Sequence, residues 1–206
     1  EGKPPHDEDA HCGAKGDKTV ETAHGAERKT EYYYGYKDQV SLNAETGLVT
    51  SVIPGRADDY DGHKFQRLIE KDLEKGVKID TVTADKGYDD GENHFYLEKK
   101  SINSAIRLKR SRTQKKDTHK EGWLKLAVSS AYQEGLKQRY QIERKFGEAR
   151  KWHGFMRCRY LGNIRNGIQS YLTFMALNLK RLVKLLTGVA FKGESRERVR
   201  ATMPTV

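Results

Sequence analysis

From Glu31 onward the chain changes from scattered polar residues to a run in which aromatic and β-branched positions alternate with polar ones, EYYYGYKDQVSLNAETGLVTSVIPG. Period-two alternation interrupted by Asn-Ala-Glu-Thr-Gly predicts a hairpin pairing roughly 32–43 with 48–53. The next segment changes period. Phe65, Leu68, Ile69 and Leu73 recur at spacings of three and four before Gly76, which predicts a helix over about 60–75. VKIDTVTAD then reads as a short strand, GENHFYLEKK as a helix and SINSAIRL as another strand. The middle of the chain therefore alternates β and α elements, the pattern of an α/β domain with a mixed sheet. Two long helices are expected after it, over 129–152 and 163–186. The second is strongly apolar on one side, where Leu172, Phe174, Met175, Leu177 and Leu179 are expected to close on the sheet as core.

The flanks look different. Residues 1–30 carry scarcely a large apolar side chain, leaving little to offset the entropy of ordering, and read as a mobile basic, Gly-rich arm. Residues 31–187 form the folded domain on this reading, and 188–206 a flexible tail. At 206 residues one domain is expected, and 35% hydrophobic against 33% charged residues implies that part of the chain stays unpacked. The formal net charge of +10 favours polyanionic partners, nucleic acid first. Eight of the cations lie between Arg107 and Lys125, read as a basic loop in which Lys109, Arg110, Arg112, Lys115 and Lys116 are candidate phosphate contacts and Trp123 stacks or packs beneath.

Cys12 and Cys158 have neither metal-ligand nor disulfide-framework spacing, which fits a reducing, cytoplasmic setting. The N-terminus has no apolar signal core, and Arg165, Asn166, Lys180 and Arg181 break the most apolar segment, so neither a signal peptide nor a membrane span is expected. Tyr32, Tyr33, Tyr34 and Tyr36 read first as strand packing. His153, with no partner at ligand spacing, reads as a helix-end residue.

Two carboxylates stand out for chemistry. Asp85 ends the strand VKIDTVTAD and is followed by KGYDD, which puts it at the carboxyl edge of a sheet, where open α/β sheets carry ligands; a turn or capping role is the alternative. On the helix QRYQIERKFGEARKW, offsets of four and eleven residues place Arg139, Glu143 and Arg150 within roughly 40° of one another. Taken alone, Arg139 and Glu143 could be an ordinary pair across one helical turn.

In their order along the chain, HDEDAHCGAKG, YYYGYK, TADKGYDD, RYQIERKFGEARKWHGFMRCRYLG and ALNLKRL resemble the DDE transposases of bacterial insertion sequences, over most of residues 6–183. The resemblance implies a ribonuclease-H-like fold and metal-dependent DNA strand cleavage and transfer, with two Mg²⁺ or Mn²⁺ ions. It makes Asp85 the second catalytic carboxylate and metal ligand, and Glu143 the third. The family's helical signature, Tyr, two residues, Arg, three residues, Glu, six residues, Lys, is met at Arg139 and Glu143. Leu136 stands at the Tyr position and Arg150, followed by Lys151, at the Lys position, so the departure falls on DNA contacts and leaves the carboxylates intact. Arg139, Arg150 and Lys151 are the implied phosphate contacts. The family's first Asp lies on a strand upstream of HDEDAHCGAKG, and none of Asp7, Asp9 or Asp59 matches its position. This chain is expected to be a C-terminal portion that binds DNA, element ends and target, and does not cut it alone, with a homo-oligomer on DNA as the implied assembly; a non-catalytic DNA-binding remnant is the alternative.

Overall fold

The computed structural model describes residues 6–22, 25–114 and 118–188. The chain runs β1 (His11–Thr22), β2 (Gly25–Leu42), β3 (Val49–Arg56), α1 (Asp61–Glu74), β4 (Thr81–Ala84), α2 (Gly91–Lys99), β5 (Asn103–Ile106), α3 (Lys120–Val128), α4 (Ser130–Gln138), α5 (Tyr140–Trp152) and α6 (Asn163–Thr187). It is a mixed α/β domain, as the alternation of periods implied.

The single mixed sheet resolves into two. One is antiparallel, in the order β1-β2-β3, and the other is the parallel pair β4-β5. A parallel pair needs a crossover, and α2 supplies it. The hairpin falls where expected, with Val40 opposite Val52 and Gln39 opposite Ile53. Its turn closes because Asn43 Oδ1 accepts from the backbone N–H groups of Glu45 and Thr46 at 3.0 and 2.9 Å, while Gly47 takes a φ of +70°.

Residues 11–22 depart from the arm expected over 1–30: they form β1, paired antiparallel to β2 from His11 opposite Gly35 to Thr22 opposite Gly25. Side-chain burial does not hold this ribbon, since residues 14–21 are exposed; the backbone ladder does. Its base is tied down. Tyr36 Oη donates to Asp7 Oδ2 at 2.7 Å, and Asp7 and Asp9 accept from the backbone N–H groups of Gly162 and Asn163 at the start of α6. The tail from 189 lies outside the described residues.

Two apolar clusters hold the elements. Val49, Val52, Ala149, Phe174 and Leu177, with Phe146 and Phe155 against them, join β3, α5 and α6. Phe65, Ile69, Leu97, Ile102 and Ile106, with Tyr88, join α1, α2 and β5. Asn178 locks α6 to the edge of β3 by accepting from the N–H of Val49 at 2.8 Å and donating to its carbonyl at 2.7 Å. Of the five α6 residues expected in the core, Phe174 and Leu177 are buried, whereas Leu172, Met175 and Leu179 are more than half exposed. The helix is apolar over more of its circumference than β3 and α5 can cover.

The helix expected over 129–152 is two, interrupted at Arg139, and the expected basic loop is partly helical, with a 3₁₀ turn at Arg110–Thr113 and α3 from Lys120. Helix α4 lies close over β4 and β5 because Gly135 has no side chain. A Cβ there would stand 2.5 Å from the Ala105 Cβ and 2.9 Å from Thr83 Oγ1. Gly135→Ala is therefore expected to lower stability by about 1–3 kcal/mol despite its better helix propensity, which thermal melts would register. Equal or higher stability would mean that α4 is free to lift from the sheet.

Candidate active site

Strand β4 delivers Asp85 at its carboxyl end, where the chain turns at once into the 3₁₀ turn Lys86–Tyr88. The Asp85 side chain caps that turn, Oδ1 accepting from the Lys86 N–H at 2.7 Å, so the capping role and the strand-edge position coexist. Asp90 caps α2 by accepting from the Glu92 N–H at 3.2 Å. Glu143 arises separately, in the first turn of α5, where the positive end of the helix dipole favours a carboxylate.

Arg139, the residue between α4 and α5, brings the two together. Its Nη1 donates to Asp85 Oδ1 at 2.9 Å and its Nη2 to Glu143 Oε1 at 2.5 Å. One guanidinium thus spans carboxylates from elements far apart in sequence, and both acids keep 59% of their side-chain surface exposed. The site is open, with hard oxygen donors that suit Mg²⁺ or Mn²⁺. Among the described residues, no group of three His, Cys, Asp or Glu side chains could hold a metal ion. Asp85 and Glu143 together offer carboxylate oxygens from two residues, one oxygen of each accepting from Arg139. Asp7 is engaged by Tyr36 and Gly162, Asp9 by Asn163, and Asp59 by Lys64 and the Arg56 N–H.

Residues 10–179 match the family described as "Transposase DDE domain". The chain belongs to that family. A relative, "Transposase for insertion sequence element IS1106" of Neisseria meningitidis serogroup B, is 30% identical over 162 residues, which is 77% of this chain and 51% of that protein. The chain thus spans about half the length of this curated relative. No solved structure matches it.

Within this transposase DDE domain the loop cations divide. Lys109 and Arg112 turn inward to Asp89, whose side chain is fully buried. Asp89 Oδ2 accepts from the Lys109 N–H at 2.6 Å, Oδ1 interacts with His94 Nε2 at 3.1 Å and accepts from Arg112 Nε at 3.3 Å, and the Lys109 ammonium reaches the Asp89 carbonyl at 2.9 Å. His94 Nδ1 in turn lies 2.9 Å from Ser104 Oγ, and Trp123 packs against both the Arg112 guanidinium and the His94 ring. Burial pushes the Asp89 carboxyl pKa up, but the hydrogen bonds from His94 and Lys109 and the charge of Arg112 outweigh it and leave it below the ordinary value. Arg110 is exposed, and Lys115 and Lys116 lie outside the described residues.

Arg150 and Lys151 are exposed near the end of α5, over the rings of Phe146 and Trp152 respectively, and neither touches Glu143 among the described contacts. His153 caps α5, and Tyr32 and Tyr34 are exposed while Tyr33 and Tyr36 are partly covered. Two residues look ordinary in the sequence, Arg107 as one of the loop cations and Asp89 as a turn or cap residue. Arg107 follows β5 directly, and because its N–H donates to the Ala84 carbonyl at 3.0 Å it stands in register beside Asp85. The parallel endings TVTAD and SAIRL carry that signal. The Asp89 hub has no comparable signature, since an Asp in a YDD turn reads as a cap.

Proposed function

We propose that this chain is part of a transposase of a DNA insertion sequence and that Asp85 and Glu143 are two carboxylates of a divalent-metal site for DNA strand cleavage and transfer. The observation that carries this reading is the convergence of the strand-end Asp85 and the helical Glu143 on one guanidinium. Mg²⁺ or Mn²⁺, when bound, would polarise phosphodiester oxygens and activate the attacking hydroxyl or water. Asp85 and Glu143 supply the oxygen ligands, and exposed Arg107, Arg110 and Arg150 present positive charge to the phosphate backbone.

A ribonuclease-H-like sheet is supported by what the two sheets leave open. Residues 36–42 of β2 pair with β3 on one side, and β4 pairs with β5 on one side. Helix α1 packs against β2, β3 and the turn after β4, and its Asp61 meets Gln39 Nε2 at 3.0 Å and Lys37 Nζ at 2.8 Å. One further strand between β2 and β4 would join the two sheets and carry a third carboxylate to Asp85. The second reading, a DNA-binding remnant without catalysis, rests on the finding that among the described residues no group of three His, Cys, Asp or Glu side chains could hold a metal ion.

Strand-transfer assays on this 206-residue chain and on the same chain in its natural upstream context separate the two readings. The short chain is expected to bind duplex DNA with affinity falling steeply with salt, and not to cut it, because ions missing one ligand are poorly placed. The longer chain is expected to cut and join DNA, and to lose this on Asp85→Ala or Glu143→Ala. A longer chain that binds DNA but never cuts it would establish the remnant. Cutting that survives both substitutions would sink the metal assignment.

A further inference from the structure

We propose that Arg139 acts as a built-in counter-cation for the Asp85 and Glu143 pair, competing with divalent ions for the two carboxylates until a phosphate draws the guanidinium away. The inference deepens the metal-site reading above and rests on it. Two carboxylates brought to one place repel, and something positive must lie between them. Here Arg139 does so, its two terminal nitrogens divided between the acids at 2.9 and 2.5 Å.

Three features make this contact exchangeable. The acids are exposed, at 59% of their side-chain surface, so the ion pairs are screened by water and are not locked in an apolar interior. The Arg139 side chain is mostly covered but keeps 26% of its surface open to solvent. Its partners are the same oxygens that a divalent ion would take, so cation and guanidinium cannot both bind them in full. Arg is also the side chain best matched to phosphate, through its planar fork of donors. A DNA phosphate arriving at the site can therefore accept from Arg139 as the carboxylates are released. The consequence is a coupling: metal is held weakly without DNA and more tightly with it, and by linkage the reverse also holds.

Arg139 is on this view a positioning residue whose removal strengthens metal binding, the opposite of what loss of a structural support would do. The test is Mn²⁺ binding to the 206-residue protein, followed by the electron paramagnetic resonance signal of free Mn²⁺, with folding of each variant checked by circular dichroism. Arg139→Gln is expected to bind Mn²⁺ about tenfold or more tightly than the parent, as removal of a competing unit charge near two carboxylates implies. Arg139→Lys, which keeps the charge, should stay near the parent. Adding Glu143→Gln to Arg139→Gln should erase the gain and so locate it at this site. A short DNA duplex should raise Mn²⁺ uptake by the parent above a Glu143→Gln blank, and should not do so for Arg139→Gln. Equal or weaker Mn²⁺ binding by folded Arg139→Gln overturns the competition while leaving the metal site standing. A parent and variants that all fail to bind Mn²⁺ overturn both.

Discussion

Asp89→Ala is expected to cost about 3–5 kcal/mol of stability, a large part of the whole for a domain of this size. The carboxylate is fully buried and meets the Lys109 N–H, His94 and Arg112. Removing it strands the buried His94 and the Lys109 N–H and takes the carboxylate from Arg112, whose side chain is 23% exposed, and each unsatisfied buried group adds to the cost. The loss should show as a lower urea midpoint and as faster proteolysis of the segment 107–114, which would no longer be tied to α2. The pH dependence has a definite sign. Because the folded-state pKa of Asp89 lies below its ordinary value, its contribution is complete above about pH 4 and is lost as pH falls through the lower folded value. The gap in stability between the parent and Asp89→Asn should therefore be widest near neutrality and narrow on acidification. An unchanged midpoint and unchanged proteolysis for Asp89→Ala would show that the Lys109–Arg112 turn is held by something else.

Phe174→Ala is expected to cost about as much, roughly 3–5 kcal/mol, for a different reason. Phe174 is 2% exposed and lies edge-on to Phe146 on α5 and to Phe155, with ring centroids 5.8 and 5.1 Å away. It also belongs to the cluster with Val49 and Val52 of β3, so its truncation opens a cavity where three elements meet. Helix α5 carries Glu143, and its packing on Phe174 helps set where that carboxylate sits. Phe174→Leu, which refills much of the space, should recover a good part of the loss in thermal melts. By contrast Leu172→Ala, on the same helix but 55% exposed, should change stability by less than about 1 kcal/mol. Similar losses for Phe174→Ala and Leu172→Ala would mean that the exposed side of α6 is covered in solution.

Local pattern was enough for much of the fold. The alternation in β2 and β3, the three-four spacing of Phe65, Leu68, Ile69 and Leu73, and the Asn43 turn are local signals, because side-chain direction repeats every two residues in a strand and every 3.6 in a helix. Strand β1 was not legible, since a ladder held by backbone hydrogen bonds with exposed side chains leaves no hydrophobic period. The break at Arg139 and the exposed side of α6 were also hidden, the first because neither a proline nor a capping side chain marks it and the second because periodicity reports which residues are apolar and not which are covered. At the site, the sequence by itself determined that Asp85 ends a strand and that Arg139 and Glu143 share a helical face. Only the tertiary structure decided that these two pieces meet, that Arg107 stands beside Asp85, and that Lys109 and Arg112 are spent on Asp89. The physical reason is that these contacts join residues 20 to 54 positions apart, and their geometry depends on how α4, α5 and the two strands pack.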